Sequence, residues 1–258
     1  MENTVQLNAF QNFFRRLFPM IKLDFYRLFH TPIFYIMIAV SAMIPALVLT
    51  MVGANETGDT QTFTNVWQVI EGLSGNTAGL MDFANMTNVN MLYIFSAVLV
   101  SVFVSHDYSS GFVKNVFTVH AKKSDYVVSK SLVGIFSGIC MLIAYVIVTI
   151  IVGGITSKSF DLGAAGVGGL IMCLLSKAFL MALFVPLYLM VAVLFKQKLW
   201  MTIVGSFIVG VLFYPVASMA VPLDSSFITL LICVVVGLAG FAGIGALSSL
   251  VLRKRDLV

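Results

Sequence analysis

Charge is scarce in this chain. Lys, Arg, Asp and Glu make up 10% of its 258 residues, against about 25% in soluble domains. Hydrophobic residues make up 60%, and the mean hydropathy is +1.03. A water-soluble fold of this size has too little interior to hide so much apolar surface, so the composition predicts an integral membrane protein. Cysteine is nearly absent. Cys140, Cys173 and Cys233 lie inside apolar runs, with neither metal spacing nor a disulfide framework, and read as small packing residues. The three histidines, His30, His106 and His120, show no ligand-like pairing. HExxH, GxSxG and the phosphate-cradling GxxxxGK are missing, so the chain is not expected to be an enzyme or to bind a cofactor. No acidic residue lies deep in an apolar run, which argues against a proton- or sodium-coupled carrier. Any uphill transport must draw its energy from elsewhere.

Long apolar runs, by contrast, are plentiful. A bilayer core needs about 20 apolar residues in helical form, because lipid offers no partner to a loose backbone N–H. Six runs qualify, at 32–53, 89–105, 131–155, within 166–195, 199–220 and 227–252. The fourth is long enough to tilt, or to break into a re-entrant piece plus a span. The alternation of a β-barrel is absent. With a cytoplasmic N-terminus, 13 of the 15 Lys and Arg residues fall on the inner side. Only Lys158 lies in an outer loop, and Lys177 lies inside a span. This positive-inside bias predicts a multi-pass protein with both termini cytoplasmic, and accounts for the net charge of +4 without nucleic acid. The first run is too long and too late for a signal peptide and reads as an uncleaved span.

Residues 1–30 form an amphipathic segment. Phe10, Phe13, Phe14, Leu17, Phe18, Ile21, Phe25, Leu28 and Phe29 recur at steps of three and four, with Arg15, Arg16, Lys22, Asp24 and Arg27 between them. Such a helix lies in the headgroup layer, aromatics inserted and cations on anionic lipid. It serves either as an elbow anchoring the first span or as a lever touching a cytoplasmic partner. Pro19 is expected to bend or divide it. The outer loop, 54–88, contains TFTNVWQVIEGL, which places Phe63, Val66, Trp67, Ile70 and Leu73 on one helical face. A lid over the outer mouth is the simpler reading, and a gate the sharper one. Pro45, Pro186 and Pro215 are expected to kink or locally open their spans. Small residues crowd 163–169 and 237–249, a pattern that lets helices approach closely within one chain or between two. Lys177 reads either as a cation facing a pathway or partner, or as a side chain snorkelling to water. The extra length of 166–195 favours snorkelling.

One interior stretch breaks the apolar pattern. Residues 105–130 read SHDYSSGFVKNVFTVHAKKSDYVVSK. A span ending in an acid, then xxxG, an amphipathic piece, a basic segment and a Lys opening the next span resembles the type-2 (ABC-2-like) permease subunits of ATP-binding-cassette exporters. Asp107, Gly111, Asn115, Thr118, Ser124 and Lys130 occupy the motif places. Asp107 stands where that family has Glu, Phe112 where it has Thr, and HAKK lacks the usual Pro. The order of elements fits along essentially the whole chain.

The resemblance implies an all-α integral membrane fold of six transmembrane helices behind an N-terminal interfacial helix (1–30), with 31–258 as the transmembrane domain. It implies that the 106–130 loop docks a separate ATPase subunit, which carries ATP and Mg. Phe112, Val113, Val116, Phe117 and Val119 would form the apolar docking face, with Lys114, His120, Lys122 and Lys123 meeting polar groups. It also implies a second permease chain, identical or sister, in a bacterial plasma membrane, and an amphipathic peptide, antibiotic or lipid-like cargo. Membrane lipid is the other expected partner. The rival readings are an autonomous channel with Lys177 as an anion filter, and a non-transporting membrane scaffold subunit.

Overall fold

The structure is a computed structural model that describes residues 2–51, 65–71, 88–118, 122–195 and 198–254. It is 87% helical, as an apolar chain that must satisfy its own backbone requires. The described α-helices are α1 (Glu2–Phe29), α2 (Pro32–Met51), α3 (Gln68–Glu71), α4 (Met91–Ser109), α5 (Phe112–Thr118), α6 (Lys123–Ile155), α7 (Gly166–Leu194), α8 (Leu199–Ala220) and α9 (Phe227–Lys254), with a 3-10 turn at Gly163–Ala165 before α7. Six of them, α2, α4, α6, α7, α8 and α9, are long and apolar enough to cross a membrane.

The fourth run is one unbroken helix, α7, with Pro186 inside it; no re-entrant piece is split off. Pro19 likewise lies within a continuous α1, which it does not divide. Pro45 and Pro215 sit inside α2 and α8. Two boundaries differ from the hydropathy reading. α4 continues to Ser109, and α6 starts at Lys123, so 106–109, 112–118 and 123–130 are all helix. Polar side chains extend both helices beyond their apolar stretches because they are hydrogen-bonded inside the chain.

The least hydropathic span, α4, is also the most buried. It packs against α2, α6, α7 and α8, so protein rather than lipid surrounds its serines. Ser101 Oγ donates to Ser206 Oγ of α8 at 2.8 Å, and Tyr93 OH donates to the Lys177 carbonyl of α7 at 3.1 Å. The outer helices α8 and α9 instead expose Phe207, Leu212, Ile232 and Val235.

Some of the small residues serve close packing within the chain. A Cβ on Gly237 of α9 would lie 2.5 Å from the Phe179 carbonyl oxygen of α7, and one on Gly240 would strike Leu183. Gly243, one turn on, meets nothing within 4 Å, and Ala239, Ala242 and Ala246 face outward. Gly237→Ala is therefore expected to force α7 and α9 apart and cost about 1–3 kcal/mol, read as a lower melting temperature in detergent. Gly243→Ala is the matched control and is expected to melt like the parent; equal melting of the two variants would contradict this packing.

Candidate functional site at the Lys130 end of the bundle

α1 packs alongside the first turns of α6, its contacts advancing from Arg16 on Asp125 through Asp24 on Lys130 to Phe29 on Phe136. Its inward stripe is Leu17, Met20, Asp24 and Leu28, all buried, at steps of three and four. Asp24 is thus a core position, although the sequence pattern groups it with the polar face. Its carboxylate accepts from Lys130 Nζ at 2.7 Å and from Ser129 Oγ at 2.6 Å, both on α6.

Lys130 is the hub. Its side chain is 0% exposed, and Nζ also lies 2.6 Å from Asp107 Oδ2 at the end of α4. Tyr126 OH, one turn earlier on α6, donates to the same oxygen at 3.1 Å. The other Asp107 oxygen lies 2.6 Å from Arg27 Nη2 of α1. Two carboxylates and two cations form a neutral cluster, which is what lets four charges leave water together. Aromatic rings cover it: Lys130 Nζ sits 4.0 Å over Phe103, and the Arg27 guanidinium sits 4.0 Å over Phe112 of α5. α1, α4, α5 and α6 therefore meet at one point. A shallower pair extends it, with Arg16 Nε donating to Asp125 Oδ2 at 3.2 Å.

The turn that delivers α5 to this cluster depends on Gly111. Its φ is +71°, and the Ser110 and Gly111 N–H groups donate back to His106 and Tyr108 of α4. An added Cβ would touch nothing within 4 Å, so backbone conformation, not space, requires glycine there.

The expected docking residues divide into two sets. Asp107 and Val113 are buried. Phe112 packs on Arg27, Phe117 lies edge-on to Tyr126 with centroids 5.7 Å apart, and Val116 is half-buried against the core. The apolar face of α5 is thus taken by its own chain, not left open for a partner, because it shields the charges beneath. Lys123 also turns inward, its Nζ donating to the Leu252 carbonyl of α9 at 2.6 Å. Ser124 Oγ donates to Asp125 at 3.4 Å. Lys114, Asn115 and Lys122 face outward. Val119 and His120 lie outside the described residues.

On α1, Phe14, Phe18, Arg15 and Lys22 are exposed, while Phe25 is half-buried against Phe136, with ring centroids 5.0 Å apart. Arg16 and Arg27, expected at lipid headgroups, are instead paired within the chain.

At the opposite end, Trp67 is buried. Its Nε1 donates to the Phe160 carbonyl at 3.1 Å, and the Val66 N–H donates to Ser159 at 3.0 Å. Tyr145 OH of α6 donates to the Val69 carbonyl at 3.0 Å. Segment 65–71 is pinned over the end of α6, with Val66, Trp67 and Ile70 inward; Phe63 and Leu73 lie outside the described residues. Lys177 does not snorkel. It is 2% exposed, and its Nζ donates to Asn90 Oδ1 at 2.9 Å and to the Val221 carbonyl at 3.2 Å. Pro186 is buried in α7 and Pro215 is half-buried in α8. Neither the Lys177 contacts nor the Asp24–Lys130 pair was read from the sequence. An acid on the stripe of Leu17, Met20 and Leu28 is the signal that points to Asp24.

Lys130→Met leaves Asp24 and Asp107 buried with one cation between them, and is expected to cost about 3–5 kcal/mol. Adding Asp24→Leu removes the orphaned charge and is expected to recover part of that loss. Thermal unfolding in detergent measures both; a single variant as stable as the parent would contradict the hub role.

No curated protein and no solved structure matches this chain. A family model described as ABC-2 family transporter protein matches residues 20–213. That stretch runs from the inward stripe of α1 through the charge cluster and most of α8, so the match covers the elements that build this end of the bundle. With six membrane-length helices and an all-α architecture, the chain belongs to the ABC-2 family of transporter proteins.

Proposed function

We propose that the chain is the membrane half of an ATP-driven exporter and that a separate ATP-binding-cassette ATPase docks on the exposed face of α5. The Lys130 end then faces the cytoplasm, as the positive-inside bias requires. The observation that carries this reading is the buried cluster of Asp24, Arg27, Asp107 and Lys130. It ties α1, the end of α4 and the start of α6 into one unit, and the Phe112 ring fastens α5 to it. A push on a seven-residue helix held only by its own backbone would be lost in local bending. A push on a helix seated over four interlocked charges moves the helices that carry them.

Lys114, Asn115 and Lys122 supply the contact chemistry, two cations and an amide for acidic or polar groups on the ATPase. ATP and Mg belong to that partner. The exposed Phe14 and Phe18, with Arg15 and Lys22 alongside, suit the apolar–anionic boundary of the inner leaflet. A second permease chain, identical or sister, completes the pathway. The wide apolar exposure of α8 and α9 fits contact with lipid and with an amphipathic cargo such as a peptide, antibiotic or lipid-like molecule. The channel reading loses its filter, since Lys177 is bonded to neighbouring helices of its own chain.

Affinity purification of the tagged chain from its own cells is expected to recover an ATP-binding-cassette ATPase. Lys114→Glu combined with Lys122→Glu reverses the exposed charge without touching the cluster. It is expected to reduce the recovered ATPase by roughly tenfold, as the loss of about 1.4 kcal/mol does, with the helix content unchanged. Undiminished recovery in the double variant would overturn docking at α5.

A further inference from the structure

Lys177 is unused by the docking unit, yet its placement is costly. It lies roughly 16 Å along α7 from Gly166 at a rise of about 1.5 Å per residue. An ammonium at 2% exposure has given up its water and is tolerated only where other groups bond it. Its contacts come from two other helices. Asn90 directly precedes α4, and its N–H donates to Asn88 Oδ1 at 2.9 Å, a turn that fixes the side chain Lys177 holds. Val221 directly follows α8 with φ −133°. Its carbonyl lies beyond the last helical turn, where carbonyl oxygens have no intrahelical donor. A cation at that end is also favoured by the helix dipole. Tyr93 of α4 ties back to the Lys177 carbonyl. One side chain of α7 thus joins the start of α4 to the end of α8, at the end of the bundle where Trp67 lies.

We propose that Lys177 is the catch that keeps the Trp67 end of the bundle closed. This rests on the reading of the chain as a permease, which must open at each end in turn. While Nζ holds Asn90 and Val221, α4, α7 and α8 cannot separate there. Release of those two acceptors is the step that opens this end. The catch is charged and its acceptors are neutral, so water or an anionic group entering between the helices competes for the ammonium and favours the open form.

The native cysteines report on this without ATPase or cargo. Cys173 lies one turn from Lys177 on α7, and Cys233 of α9 lies beside Ser176; both are buried. Cys140, half-buried on α6, serves as the reference. The full chain in lipid nanodiscs is labelled with N-ethylmaleimide, and each thiol is followed by peptide mass spectrometry. Lys177→Met is expected to label Cys173 and Cys233 roughly tenfold faster, equivalent to about 1.4 kcal/mol, with Cys140 unchanged. Lys177→Arg, which keeps the charge and the donors, is expected to show a smaller increase. Asn90→Leu removes one acceptor with Lys177 in place and is expected to act in the same direction; it decides alone if the Met variant does not accumulate. Parental labelling rates would overturn the catch. So would an equal rise at all three thiols, which reports general loosening. Failure of the ATPase recovery experiment leaves this one intact, so the two proposals fall separately.

Discussion

One ammonium group between two buried carboxylates organises this molecule. Lys130 Nζ lies 2.7 Å from Asp24 and 2.6 Å from Asp107, and none of the three side chains is exposed. In a low-dielectric interior such groups are tolerated only together, so each holds the others in place. The helices that carry them follow. α1 is drawn inward rather than left floating on a surface, α4 is extended about one turn past its apolar run, and α6 begins about two turns before its own. Arg27 closes the circuit from α1 back to α4, and Phe112 uses that cation as a seat for α5.

The same logic of burial runs through the spans. α4 is the least hydropathic and lies at the centre, where protein groups answer Ser101, Asn90 and Tyr93. α8 and α9, apolar almost throughout, lie outside. The two polar knots, one at Lys130 and one at Lys177, stand at opposite ends of the bundle, and both include residues of or beside α4. A helix fixed at both ends by charges from different neighbours is suited to relate motion at one end to motion at the other.

Much of this was legible in the sequence, for physical reasons. Apolar runs of membrane length must be helices, so all six spans could be placed from hydropathy. Asp107, Gly111 and Lys130 stood out because they occupy places of the family motif in a chain with few charged residues. Other features were hidden. Helix ends were misplaced where polar residues continue the helix inside protein, as at 106–109 and 123–130, because hydropathy registers only lipid contact. Asp24 looked like one more polar residue, since a single sequence does not show which face of α1 turns inward. The apolar side of α5 read as a surface for a partner, although Arg27 and Tyr126 already cover it. Lys177 looked like a snorkeller because its acceptors, Asn90 and the Val221 carbonyl, lie 87 and 44 positions away.

The central claim is that α1 and α5 move as one body because the Lys130 cluster joins them. Spin labels at Lys22→Cys and Lys114→Cys, both exposed positions, report their separation by pulsed electron resonance in the chain alone, where the contact proposed for Lys114 is not needed. One narrow distance is predicted for the parent, and a broad distribution once Lys130→Met removes the hub. A parent distribution as broad as that of the variant would show that α5 moves independently of α1, and would contradict the account.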